Sequence, residues 1–285
     1  MDYTTAPTVD VIITHYRNTP LLQTQLKSLE GQLRPGDSVI VAEDGADTDT
    51  EIVVQQFKSL LPIRHLTHRD QGRRLCYTRN QALADSKADI VLFLDHDILL
   101  APGTIAHLRR EIRSGWFIGL RRVMLDEELT AQAIKWITES RPFAFERLRL
   151  RSLVSRSKGS RYLLPLRDRG CKGAPQDWRG MASFGFLAFR QDLLDVNGWD
   201  TRFDQDYAAE DWDMFARLEH LGVKPAFASR RCTVFHLYHK QADHDLSNKN
   251  YRMLDETLKT KRTHAKEGLQ ETIRSLSESE LSSNP

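Results

Sequence analysis

Apolar and polar positions alternate along this chain in a regular order. Residues 9–14 form an apolar run that reads as a buried strand, and residues 19–30 carry Leu22, Leu26 and Leu29 at the spacing of one helix face. The same unit repeats: 38–42 reads as a strand, 50–60 as a helix entered through Asp47 and Asp49, 63–66 as a strand and 75–85 as a helix. Residues 90–94 are wholly apolar and end in charge, the signature of a central parallel strand covered on both faces. This alternation predicts an α/β fold, a doubly wound and mostly parallel sheet with helices on both faces. Such sheets bind ligands outside the carboxyl ends of their strands, so the residues closing each strand are where chemistry is expected.

Beyond Pro102 the pattern predicts a helix over 104–114 and a strand over 116–123. The texture then changes. Residues 141–172 hold eight arginines and two lysines against only Glu146 and Asp168, with glycines and serines between. A solvated insertion or helical lid is one reading of that segment, and a seat for a phosphorylated or acidic acceptor is the other. Further on, 182–189 reads as a strand, 191–196 as a short helix, 210–221 as a helix and 233–237 as a last strand. From about Asp243 the chain is charged and helical, fading into a Ser/Glu-rich end over 275–285 that is expected to fray.

Charge and cysteine content narrow the setting. Forty-one Lys and Arg against thirty-nine Asp and Glu leave a formal charge of +2, so no global field points to nucleic acid. Cys76, Cys171 and Cys232 are odd in number and widely spaced, which fits neither a disulfide framework nor a zinc cluster; reduced thiols in a cytoplasmic protein are expected. No run approaches the ~18 apolar residues of a membrane span, and no basic-then-apolar leader opens the chain. Peripheral membrane contact stays open.

The strand ends carry the candidate chemistry. Asp95-His96-Asp97 follows the central strand, where two carboxylates can reach one divalent cation through different shells, or else merely stop the strand. Magnesium or manganese suits such oxygen ligands, and a cation there would neutralise a diphosphate. Glu43-Asp44-Gly45 closes the second strand and offers a carboxylate to a base or ribose, or a simple Asp-Gly turn. Thr14-His15-Tyr16-Arg17 closes the first, with an aromatic face and polar groups to frame a nucleotide. Arg69 to Arg74, with Gly72 inside, is a basic loop running into a helix with Arg79-Asn80. Its arginines and helix-end amides would favour a diphosphate, unless Arg79 and Asn80 only lock the helix to the sheet.

Taken in order, Val11-Ile12-Ile13 with Thr14 and Tyr16, Glu43-Asp44-Gly45, Gly72 with Arg79-Asn80-Gln81-Ala82, and Phe93-Leu94-Asp95-His96-Asp97 resemble glycosyltransferase family 2. The resemblance implies a GT-A fold and a nucleotide-sugar donor, with a UDP-sugar expected. It puts Asp44 on the nucleoside, Asp97 as the direct ligand of Mn2+ or Mg2+, and Asp95 in the metal set chiefly as a nucleotide contact. Thr14, Tyr16, Arg17, Gly72, Arg79 and His96 complete the expected donor site.

The second half resembles the C-terminal region of galactosyl- and N-acetylgalactosaminyltransferases. Gly185-Phe186, Gly198-Trp199-Asp200, Phe203, Glu210-Asp211-Trp212-Asp213 and Arg217-Leu218 keep that order. This implies Glu210 and Asp211 beside sugar and acceptor, with Asp211 the base of an inverting transfer; an attacking hydroxyl must lose its proton, and a carboxylate in reach can take it. It also implies that a histidine after the last strand completes the metal site, and His236 fits that place better than His239. Trp178, Trp199 and Trp212 are candidates for stacking on sugar or for the core, and Gly185 and Gly198 for close ligand approach or turns.

The implied organisation is a GT-A domain over 1–242, with a nucleotide-binding half (1–100), the basic insertion (141–172) and an acceptor and catalytic half (180–242). A charged helical extension follows over 243–285. The acceptor stays open among glycan, lipid carrier, protein and small molecule. Two other readings compete: a non-catalytic nucleotide-sugar-binding module, and a haloacid-dehalogenase-type phosphohydrolase. The latter also places two aspartates after a central strand, but expects a small hydroxyl residue where Ile98-Leu99 stand.

Overall fold

The computed structural model describes residues 6–164, 173–206, 208–240 and 249–282. Cys171, the end of the basic segment from Pro165, the start of the C-terminal extension and the last three residues lie outside them.

The first hundred residues fold as β1 (Val9–His15), α1 (Thr19–Leu29), β2 (Ser38–Glu43), α2 (Thr48–Phe57), β3 (Ile63–Leu66), α3 (Leu75–Asp85), β4 (Ile90–Asp95) and β5 (Ile98–Leu99). Then come α4 (Thr104–Glu111), β6 (Trp116–Gly119), β7 (Arg122–Met124), α5 (Glu127–Thr138), α6 (Ala144–Val154), β8 (Gly185–Phe189), α7 (Arg190–Asp195) and α8 (Glu210–His220). β9 (Lys224–Phe227), β10 (Val234–His236), α9 (Lys249–Thr260) and α10 (Leu269–Ser282) close the chain.

Seven strands form one sheet in the order β3-β2-β1-β4-β8-β6-β9, and a small sheet runs β5-β10-β7. In the large sheet only β8 runs against its neighbours β4 and β6, so the sheet is mostly parallel. Successive residues of β1 point to opposite faces. Val11 and Ile13 join a core with Leu22 and Leu26 of α1, whereas Ile12 joins a second core with Ala82 of α3 and Met214 of α8. Burial on both faces is why the central strands are apolar without alternation.

Two expectations are corrected, and the two glycines left open between ligand approach and turns are placed. The strand expected over 116–123 is two: β6 belongs to the large sheet and β7 to the small one, with Leu120 N donating to Gly185 O and Arg121 O accepting from Val234 N at the changeover. A run of apolar positions cannot reveal that its ladder partner changes. The Ser/Glu-rich stretch expected to fray continues α10 as far as Ser282. Gly198 forms the expected turn at φ +62°, where a Cβ would also stand 2.4 Å from Asn80 Oδ1; Gly185 serves close packing, since a Cβ there would stand 2.7 Å from Leu120 Cδ1.

The C-terminal segment is tied to the sheet-bearing part by buried ions. Arg262 donates to Asp200 Oδ2 (2.9 Å) and Asp213 Oδ1 (2.7 Å), and Arg217 donates to Asp213 Oδ2 (2.7 Å). Trp178 and Trp199 are also core residues; Trp178 Nε1 donates to Glu219, and the Trp199 ring lies under the Arg79 guanidinium. Among the described residues no helix is long and apolar enough to cross a membrane.

Candidate active site

The register of β1 against its neighbours aligns their carboxyl ends: Thr14 stands beside Asp95 of β4 and Ala42 of β2, and Asp44 follows one residue past the end of β2. β8 enters the sheet antiparallel to β4, so Ser183-Phe184, just before it, lie at that same edge, where Asp95 N donates to Phe184 O. A cleft of about 640 Å3 opens there, of the size that takes a small-molecule ligand. Thr14, Tyr16, Asp44, Gly72, Asp95, His96, Asp97, Glu210, Asp211 and His236 all line it.

Two residues expected in the donor site stand elsewhere. Arg17 is exposed on the rim, where its guanidinium and the Tyr16 hydroxyl both reach Asp70 Oδ2 (3.3 and 3.4 Å). Arg79 is buried beneath the floor and does not line the cleft, donating instead to Asp95 Oδ1 (3.2 Å) and Ser183 Oγ (3.1 Å). Nor are the amides of Arg74, Cys76 and Tyr77 at the start of α3 open to an anion. The Asp204 carboxylate accepts from Cys76 N and Tyr77 N, and Asp44 Oδ2 accepts from Arg74 N. These carboxylates satisfy the helix start that the sequence offered to a diphosphate.

Asp44 lies at the β2 end of the cleft, its Oδ1 3.5 Å from His68 Nε2. Burial raises its pKa against the opposing bond from Arg74 N. His15 lines the cleft nearby with Nε2 on Thr50 Oγ1 (3.1 Å). Burial, then the adjacent His96 and His65, push its imidazole down to about 3, so the ring is neutral.

At the other end, Asp97, His236 and His239 converge. Asp97 Oδ2 lies 2.9 Å from His236 Nε2 and 3.1 Å from His239 Nε2, and one ligand atom from each of the three falls within 4.8 Å of the others. Two-residue β5 makes this possible: Ile98 pairs with His236 of β10, and Leu237 N donates to Asp97 O. Burial opposes the charge on Asp97, yet the bonds from His236 and His239 override it and hold the carboxyl well below its usual range. Asp97 raises the His239 pKa in turn. Asp97 Oδ1 is buried with no hydrogen-bond partner, an orphaned acceptor of the kind a cation satisfies. Asp95 is outside this trio, its Oδ1 taken by Arg79 and Thr14.

Facing them is the start of α8. Ala208 and Ala209 both hold positive φ (87° and 70°), a conformation that costs non-glycine residues on the order of 1–2 kcal/mol each. That turn sets Glu210 and Asp211 in the cleft wall. Arg73 spans from the α3 loop to donate to Glu210 Oε1 (2.9 Å), while Glu210 Oε2 is buried with no hydrogen-bond partner. Asp211 accepts from Ser183 N (3.0 Å) and Trp212 N (2.8 Å). Burial, then the charge of Glu210, nevertheless pushes its carboxyl up to about 7.

Several cleft residues had little or no signal in the sequence. Arg122, whose Nη1 lies 3.0 Å from His236 Nδ1, sits inside what reads as one long strand. Ser183 and Tyr251 belong to no motif. His239 reads as the lesser of two histidines because the resemblance calls for one histidine after the last strand, yet its Nε2 meets the same Asp97 oxygen as that of His236. Of the three tryptophans only Trp212 reaches the cleft.

A mostly parallel sheet with acidic residues gathered at its carboxyl edge fits the GT-A class, and comparison with known proteins agrees. Residues 10–164 match Glycosyl transferase family 2, and the chain belongs to that family. It is 35% identical over 95 residues to a chondroitin synthase of Escherichia coli, a stretch covering 33% of this chain and only 14% of that protein. Mannosyltransferase PcManGT from Pyrobaculum calidifontis, solved in complex with GDP-Man and Mn2+, shares the fold with a TM-score of 0.55 at 17% identity, over 84% of this chain and 59% of that one. TarS 1-349 of S. aureus in complex with UDP-GlcNAc gives 0.59 at 12% identity, over 93% and 69%. Family membership sets aside the phosphohydrolase reading, and Ile98-Leu99 serve as β5 instead.

Proposed function

We propose that the chain transfers a sugar from a nucleotide diphosphate, with a UDP-sugar the expected donor, onto an acceptor hydroxyl with inversion at the anomeric carbon. The observation that carries this reading is that Asp97 and Asp211, 114 residues apart in sequence by their numbers, line one cleft. Asp44 and His15 at the β2 end would hold the nucleoside. Asp97, His236 and His239 would hold a divalent cation, whose chemistry is to neutralise the diphosphate as it departs. Their mixed oxygen and nitrogen donors favour Mn2+ over Mg2+, which prefers oxygen ligands alone.

Asp211 would receive the proton of the acceptor hydroxyl as its oxygen bonds to the anomeric carbon. A carboxyl raised to about 7 matches that task, since a base works best with a pKa near the operating pH. Glu210, with one oxygen on Arg73 and the other without a partner, would take a hydroxyl of sugar or acceptor. These are the two roles implied by the sequence resemblance of the second half, which lies beyond the family match over residues 10–164. Thr14, Tyr16, Gly72, Asp95 and His96 would shape the donor pocket, with Arg79 holding Asp95. The same reading takes 1–242 as the GT-A domain and 243–285 as an extension braced to it through Arg262.

Purified protein with manganese is expected to release UDP from a suitable member of a UDP-sugar panel when given glycan and lipid-linked acceptors. Asp97→Asn should abolish release while leaving the melting transition in place. Equal turnover by the two proteins overturns the assignment.

A further inference from the structure

Helix α6, in the basic segment, has two apolar sides. Leu148 and Ser152 are buried against the body of the protein. On the opposite side, Phe143 at the N-cap, Leu150 and Val154 are 69%, 61% and 71% exposed. At about 100° per residue these three fall within roughly 40° of arc, so they form one ridge pointing straight out. Solvent-facing sides of helices are ordinarily polar, and an exposed apolar ridge marks a contact surface. Arg147 lies along the ridge and Arg151 on its flank, both exposed. From Arg141 to Leu164 the chain carries six arginines and Lys158 against Glu146 alone, whereas the whole chain is near neutral at +2. The cationic excess is therefore concentrated in the segment that carries this ridge, although Arg141 itself pairs with Glu139.

We propose that this face of α6 docks on an anionic bilayer, with Phe143, Leu150 and Val154 entering the headgroup boundary and Arg147 and Arg151 meeting lipid phosphates. A soluble polyanion would satisfy the arginines but leave the ridge in water. A second copy would cover the ridge but bring like charges together. An anionic lipid surface takes both features at once. The helix is also coupled to the cleft: Lys158, four residues beyond it by number, accepts from Met124 N of β7, and Arg122 of that strand lines the cleft. Docking through α6 would favour acceptors presented at a membrane; that corollary rests on the proposed transfer, whereas the docking does not.

The test is co-sedimentation of the full chain with phosphatidylcholine vesicles made with and without phosphatidylglycerol. Binding is expected only with phosphatidylglycerol, weakening as salt rises. Phe143→Ser/Leu150→Ser/Val154→Ser and, separately, Arg147→Glu/Arg151→Glu should each cut the bound fraction about tenfold. Because these side chains are exposed, melting temperature and UDP release in solution should stay at wild-type values. The proposal fails if wild type ignores anionic vesicles, or if both variants bind as wild type does. It also fails if the ridge variant abolishes self-association seen by sedimentation velocity, or if heparin is bound while vesicles are not. Loss of vesicle binding with UDP release intact, or the reverse, separates failure of this surface from failure of the cleft's assigned chemistry.

Discussion

His236 Nε2 lies 2.9 Å from Asp97 Oδ2 across 139 residues of chain. The short pairing of β5 with β10 creates that contact, and His239 adds a second imidazole to the same oxygen at 3.1 Å. One carboxylate oxygen facing two imidazole nitrogens is a position that either a proton or a divalent cation can occupy.

Activity should therefore vanish on chelation and return with manganese. His239→Ala is expected to raise the manganese concentration for half-maximal UDP release by about tenfold or more, with His236→Ala at least as damaging. An unchanged manganese titration for His239→Ala would remove that residue from the set.

The pH profile should report Asp211. Its carboxyl, pushed up to about 7, must be ionised to accept a proton, so kcat/KM should rise with pH and level off above about 7. Asp211→Asn should lose about a hundredfold or more in kcat while UDP still binds, as read by calorimetry. A wild-type rate that falls across this range would contradict a base in that position.

The same group makes a stability prediction. A free Asp carboxyl titrates near 3.8 and this one near 7, so between those values the native state holds more protons than the unfolded state. Unfolding free energy from this group then declines as pH rises through the window and is fully lost above it. Asp211→Asn should accordingly melt higher than wild type at pH about 8, with the gap closing toward pH about 4. Thermal melts of the two proteins side by side decide the matter.

Arg217 is fully buried and donates to Asp213 Oδ2 and to the carbonyls of Val196 and Gly198. Arg217→Met would leave those acceptors short of donors inside the core. A loss of about 3–5 kcal/mol in urea unfolding is expected. A loss under about 1 kcal/mol would mean that Arg262 alone neutralises Asp213.

Much of the first half is legible in the residues themselves. The sequence places β3 and α3 with the bounds the structure has, because an apolar run between turns and a helical period are local patterns. β5, two residues long, is too short to carry any pattern, and four-residue β9 carries little more. The strand-end acids Asp44, Asp95 and Asp97 stand out for a related reason: an abrupt change from apolar to charged marks where a buried strand emerges.

Local pattern thus establishes the layered sheet and the edge at which ligands gather, since burial and backbone period act over a few residues. Which acids and histidines share a site depends on strand pairing between distant segments, which no window of sequence contains. Asp97 meets His236 through β5 and β10, Asp211 meets Ser183 just ahead of β8, and Arg73 crosses to Glu210. Folding alone settled those three meetings, because each distance is the outcome of the whole core packing at once.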